Sequence, residues 1–200
     1  MPRPRDNQRS RLYAAEWECF GWPTMEFKTM GDAEAYIWKV LSNWRVQKRY
    51  PVARDIVSGR IPLKISKGDG SRKAWARILP DKMWVSFPRK FRNKHTILHE
   101  LAHLFTPADV QEHGREFCRV YQHLVLLFFG REKLKQLKAA MKKHNCKYSK
   151  RHTPYKRPLT QLEKDVMVAR LKKNNYGNKS QMEHAQHHAL LHAHRQGIQR

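Results

Sequence analysis

The chain has 200 residues and 41 Lys and Arg against 17 Asp and Glu, a formal net charge of +24 that favours polyanionic partners and opposes self-association. Three scattered cysteines, Cys19, Cys118 and Cys146, exclude a disulfide framework and fit a reducing compartment. The longest apolar run, Leu124 to Phe129, is too short to cross a bilayer, and Met1-Pro2-Arg3-Pro4-Arg5 lacks the apolar stretch of a signal peptide, so a cytoplasmic protein, monomeric rather than assembled, is expected.

In chain order, residues 1–11 read as a basic N-terminal arm, with Arg3 to Arg9 mobile. Leu12 to Phe20 follows, its aromatics at 13, 17 and 20 marking a packing face; strand and short helix both fit, and strand is the reading preferred. Asp32 can cap a helix through about Tyr50, with Ala33, Ile37, Val40, Leu41 and Trp44 at helical spacing. Gly59, Gly68 and Gly70 punctuate the next stretch. Strands are expected at Ile61–Ile65, Ala74–Leu79 and Met83–Phe87, the last two joined across Pro80-Asp81-Lys82.

An apolar helix carrying Ile97, Leu98, Leu101, Ala102, Leu104 and Phe105 comes next and is closed by Pro107. A second runs from Phe117 to Phe129 and stops at Gly130, and Arg131 to Lys143 forms a basic amphipathic helix. The order implies an α+β domain over 12–146: a helix, a short antiparallel or mixed sheet, a motif helix carrying His99-Glu100-Leu101-Ala102-His103, and a ligand helix after His113, an order that resembles the compact zincin arrangement. In that arrangement the strand before the motif helix, Met83–Phe87, is placed to be an edge that holds an extended peptide; an ordinary core strand fits the same residues.

Residues 147–158 read as a linker, and 159–200 as a basic, His-rich extension with helices near Thr160–Lys173 and Lys179–Arg195. The connection Asn174 to Asn178 is longer than that of a helix-turn-helix, so no sequence-reading module is assigned. His184, His187, His188 and His192 could share a metal in principle, but such a stripe is more often a solvated helix face.

The most informative residues are His99-Glu100-Leu101-Ala102-His103, followed by His113-Gly114. Residues four apart on a helix share a face, so His99 and His103 can grip one metal ion. Glu100 lies about 100° round the helix, within reach of a water at the metal without becoming a ligand. Two histidines and a glutamate on a helix apolar nearly all round are costly unless a metal compensates them. His113 is the third ligand with the best context, entering just before a helix packed on the first. Asp109, six residues after His103, and Glu116 remain alternatives; Thr106 stands where a metzincin-type turn has glycine. Three ligands leave the fourth position of a tetrahedral zinc for water, as a catalytic site requires. His95, one turn before His99, is expected at the exposed end of the helix. An oxyanion-stabilising group is open among Arg115, Tyr121 and His123.

HELAH, nine residues and then HGREF resemble the SprT-like zinc metalloproteases over residues 93 to 121. That resemblance implies one zinc per chain at His99, His103 and His113, with Glu100 as general base in peptide hydrolysis. Those proteases often carry a four-cysteine zinc ribbon, which three cysteines cannot build. The opening Arg5-Asp6-Asn7-Gln8-Arg9-Ser10-Arg11-Leu12-Tyr13-Ala14-Ala15-Glu16 is similar to the start of a family of small metallohydrolases from actinobacteria and their phages, a resemblance that runs to about residue 130 and leaves the substrate undefined.

Charge suggests the partner. Arg89, Lys90, Arg92 and Lys94 precede the motif, and Lys150, Arg151, Lys156 and Arg157 follow the expected domain. Together they imply non-specific, phosphate-mediated binding to nucleic acid, and a peptidase acting on proteins already held there. Two other functions fit the same residues: a nucleic-acid-binding protein with a structural or vestigial zinc site, and a metal-dependent amidase.

Overall fold

The aromatics at 13, 17 and 20 are four and three residues apart, which is the period of a helix, and Arg9–Phe20 is a helix (α1) rather than the expected strand. Leu12, Ala15 and Glu16 form its buried face, and the chain leaves it at Gly21, whose φ of 77° only glycine adopts readily. The computed structural model describes residues 6–68, 73–79, 81–107 and 109–149. The chain divides into two units, Met1–Arg157 and Pro158–Arg200, and every described residue belongs to the first. The extension of 159–200 with its histidines, and Lys150, Arg151, Lys156 and Arg157, lie outside the described residues.

The single helix expected from Asp32 to about Tyr50 is instead two, and a third follows. In α2 (Met30–Leu41) Thr29 is the cap: its hydroxyl accepts from Asp32 N at 3.1 Å, while Asp32 accepts from Thr29 N at 3.2 Å. Asn43 then starts α3 (Trp44–Arg49) by accepting from the amides of Arg45 and Val46, so the helical phase resets and Trp44 turns outward, 65% exposed. Pro51 opens α4 (Pro51–Val57), where its missing N–H has no helical partner to lose.

The sheet holds β1 (Leu63–Ser66), β2 (Trp75–Ile78) and β3 (Met83–Ser86) in the order β1-β3-β2. β1 runs parallel to β3, pairing Leu63 with Met83 and Ile65 with Val85; β2 runs antiparallel, pairing Trp75 with Ser86 and Ile78 with Met83. Met83–Phe87 therefore supplies the central strand and not an edge. Its residues 83, 85 and 86 are buried, as pairing on both sides and packing against the helices require, and β1 and β2 take the two edge positions.

A short 3-10 turn, Arg89–Phe91, leads to α5 (Lys94–Phe105), capped by Asn93, whose side chain accepts from Thr96 N at 2.9 Å. Nine of its twelve residues are buried. α6 (Arg115–Lys143) begins two residues before the expected Phe117 and is broken at Gly130 (φ 87°, ψ 179°), so two helical segments meet at the anticipated glycine. The core gathers Ile97, Leu98, Leu101 and Phe105 of α5, Phe117, Leu124 and Val125 of α6, Ile37 and Leu41 of α2, and Val85 of β3. The described residues thus form a mixed α+β fold of six helices and a small mixed sheet, and no helix among them is long and apolar enough to cross a membrane.

Candidate metal centre

α5 presents His99 and His103 one turn apart, and the loop before α6 brings His113 to them. The ring centroids lie 5.0 Å apart for His99 and His103, 5.2 Å for His99 and His113, and 4.7 Å for His103 and His113. One nitrogen from each falls within a common 4.8 Å span, close enough to hold a single metal ion. Gly114 makes the loop possible: its amide donates to Gln111 O at 3.0 Å, and a Cβ there would stand 2.9 Å from Gln111 Cβ. Asp109 is exposed and Glu116 half-buried, and neither joins the group.

The N-terminal segment backs this group, which the reading of residues 3–9 as a mobile arm missed. His99 Nδ1 bonds Glu16 Oε1 of α1 at 2.7 Å, and His113 Nδ1 bonds Asp6 Oδ2 at 2.6 Å. A carboxylate can only accept, so each Nδ1 carries the hydrogen and each Nε2 faces inward as a lone pair. Those two Nε2 atoms are 3.2 Å apart. Two lone pairs at that distance need a cation between them, either a proton or a metal. A tetrahedral zinc with bonds of about 2.0–2.1 Å separates neighbouring nitrogens by about 3.3 Å, so the arrangement fits the ion.

Protonation follows the same geometry. Burial opposes a charge on His99, but the Glu16 carboxylate outweighs it and holds the imidazole above its ordinary range. Burial and the neighbouring His99 push His113 below its own range, against the pull of Asp6. Without metal, one proton shared by the facing nitrogens satisfies both rings, and a metal displaces it.

Gln8 locks the segment in place. Its buried amide donates to His113 O at 2.9 Å and to Lys147 O at 3.0 Å, while its Oε1 accepts from Lys147 N at 2.7 Å. Gln111 adds a bond to Asn7 Oδ1 at 2.7 Å. No protein-family model, curated protein or solved structure matches the chain.

Glu100 is 6% exposed, and burial pushes its carboxyl up to about 7, against the pull of His99. It faces a cavity of about 340 Å³ that His103, His113 and Tyr13 also line, together with Ala74 and all four residues of β2. Arg9, Lys73 and Arg77 line this cavity together with the acids Glu100 and Glu112. Of the basic residues before the motif, Arg89 and Lys90 are exposed, whereas Arg92 donates to Phe87 O and Lys94 pairs with Glu26 at 2.5 Å. His95 is not at an exposed end: its ring stacks on Phe20 with centroids 5.0 Å apart.

None of the three oxyanion candidates lines the cavity. Arg115 is exposed, Tyr121 is fully buried behind His99, and His123 bonds the Tyr50 hydroxyl at 3.0 Å. Tyr13 is the polar aromatic that does, with its ring 5.6 Å from that of His99 and 5.4 Å from that of His113. Burial and the charges of Glu100 and Glu16 raise its hydroxyl pKa, so it is a donor at neutral pH. Tyr13 and Glu16 sit three residues apart on α1, a spacing visible in the sequence once that stretch is read as helical.

Proposed function

We propose that the chain is a zinc-dependent peptidase of the HExxH type, with a zincin-like fold and kinship to the SprT-like metalloproteases, acting on proteins held on nucleic acid. The observation that carries the proposal is the pair of inward-facing Nε2 atoms 3.2 Å apart, each backed by a carboxylate. A zinc ion held by His99, His103 and His113 would supply Lewis acidity to a scissile carbonyl and acidify water.

The other roles belong to the chain's own residues. Glu100, buried and facing the cavity beside His103 and His113, takes a proton from the attacking water and passes it to the leaving amine. Tyr13 donates its hydroxyl proton in a hydrogen bond to the developing oxyanion. β2 is an edge strand whose residues line the cavity, so an extended substrate pairs with its outer side and lies across Glu100. Arg9, Lys73 and Arg77 in the cavity, and Arg89 and Lys90 on the surface, draw a polyanion and whatever protein it carries to that edge.

The test incubates zinc-loaded wild type and Glu100→Gln with a histone-like protein, with and without single-stranded DNA. Fragments from the wild type alone, more abundant with DNA, are expected. Equal cleavage by the variant removes Glu100 from the chemistry, and cleavage indifferent to DNA removes nucleic acid from the substrate.

A further inference from the structure

A second cavity, about 390 Å³, adjoins the first and has no part in the roles above. The two share Tyr13, Lys73, Ala74 and Glu100 in their linings, so they are neighbouring compartments of one cleft on either side of Tyr13. The second differs in chemistry: Trp17, Trp22, Pro23 and Phe91 make its walls predominantly apolar. Trp17 and Trp22 stand with ring centroids 4.4 Å apart, yet are 42% and 57% exposed. Large indoles left side by side in water mark a surface meant to be covered.

We propose that this cavity receives a large uncharged apolar side chain, of the Leu, Met or Phe kind, from the substrate residue beside the bond that is cut. The inference rests on the peptidase reading above. The path of an added strand supports it. β2 and the residue before it line the first cavity from Ile78 back to Ala74, and Ala74 and Lys73 continue into the second. Glu100 lines both cavities, so a chain paired along this edge, advancing about 3.3 Å per residue, meets the apolar compartment next to the point where Glu100 acts.

Burial selects the occupant. Glu16 is already engaged by His99 Nδ1 at 2.7 Å, and Lys90 lies 5.5 Å from the Trp22 ring. A charged side chain would lose hydration against the indole and phenyl walls, a cost that a neutral apolar side chain does not meet.

The experiment sequences the products of a pool of unfolded peptides digested by zinc-loaded protein. Wild type should favour Leu, Met or Phe over Gly at one fixed position beside the cut by about 10- to 100-fold. Trp22→Ala, at an exposed position, should reduce that preference, and Ala74→Trp, which fills the cavity, should shift it towards Gly and Ala. A second readout needs no turnover: Trp fluorescence of Glu100→Gln titrated with acetylated, amidated peptides containing Leu or Gly at that position. The Leu peptide should bind at least tenfold tighter, and Ala74→Trp added to Glu100→Gln should erase the difference. Cleavage without side-chain preference, a preference for Lys or Arg, or a preference unchanged in both variants overturns the pocket. Tighter Leu-peptide binding without cleavage by the wild type keeps the pocket and overturns the peptidase reading. Neither cleavage nor selective binding overturns both.

Discussion

The side-chain amide of Gln8 donates to the backbone carbonyl of His113 at 2.9 Å, joining positions 105 residues apart. That bond, with those of Asp6 and Glu16 behind the imidazoles, makes the first helix and the described residues before it a structural part of the candidate metal centre. A ligand histidine whose second nitrogen is held loses little freedom on binding, so the support should be measurable as affinity.

Asp6→Asn and Glu16→Gln should each weaken zinc binding by roughly 10- to 100-fold while leaving the fold intact. Gln8→Ala takes the amide donor from the buried His113 carbonyl and unties both backbone groups of Lys147, and should cost about 1–3 kcal/mol of stability in addition. Competition with a fluorescent zinc chelator and thermal unfolding separate the two effects. Wild-type affinity in both carboxylate variants would show the backing to be incidental.

His103→Ala should abolish stoichiometric zinc, because it removes one of the three nitrogens that share the site. Zinc at a hundred times its dissociation constant adds about 2.7 kcal/mol to wild-type stability, and the variant should gain none of it. Metal analysis after gel filtration, with melting curves recorded with and without zinc, reads both. An equal thermal gain in the variant would place the zinc elsewhere.

Tyr13→Phe should retain zinc and peptide affinity and lower kcat by roughly 100- to 1,000-fold, since the hydroxyl acts only when negative charge develops on the carbonyl oxygen. Steady-state kinetics on a peptide cut by the wild type give the split. A raised KM with kcat unchanged would make Tyr13 a binding wall and not an oxyanion donor.

The full chain should bind duplex DNA with a log–log salt slope of about −0.9 per phosphate contacted. Residues 150–200 hold eleven Lys and Arg against three acids, so their deletion should flatten the slope and weaken binding without changing zinc content. The truncation belongs after Ser149 and not within the expected linker at 147, because Lys147 bonds Gln8 and Ser149 N donates to Arg115 O at 2.9 Å. Filter binding over a salt series checks it; affinity that holds at high salt would place recognition outside phosphate contacts.

The three histidines and the glutamate were legible because their geometry is local: a four-residue spacing on one helix, and a glycine beside the third ligand that lets the loop close. Asp6, Tyr13 and Glu16 were not, because they meet the site across 83 to 107 residues. The aromatics of α1 drew attention as a packing face, and only their three- and four-residue intervals separate helix from strand. Likewise β2 and β3 are strands of equal length; which one is central depends on β1 docking parallel to β3, a pairing of residues 20 apart in sequence. The break after Leu41 was visible in Asn43, a good cap, but apolar spacing through Trp44 masked it.

The bonds between Gln8 and Lys147 span 139 residues, and this sets a clock for synthesis. At about 5–20 residues per second, roughly 7 to 28 seconds separate the emergence of the first partner from that of the second. Throughout that interval His99 and His113, even once made, lack the fastening that holds the first helix against them. Any metal affinity that depends on this fastening should therefore develop only after Lys147 has emerged, and a nascent chain halted before that residue should bind zinc more weakly than the finished one.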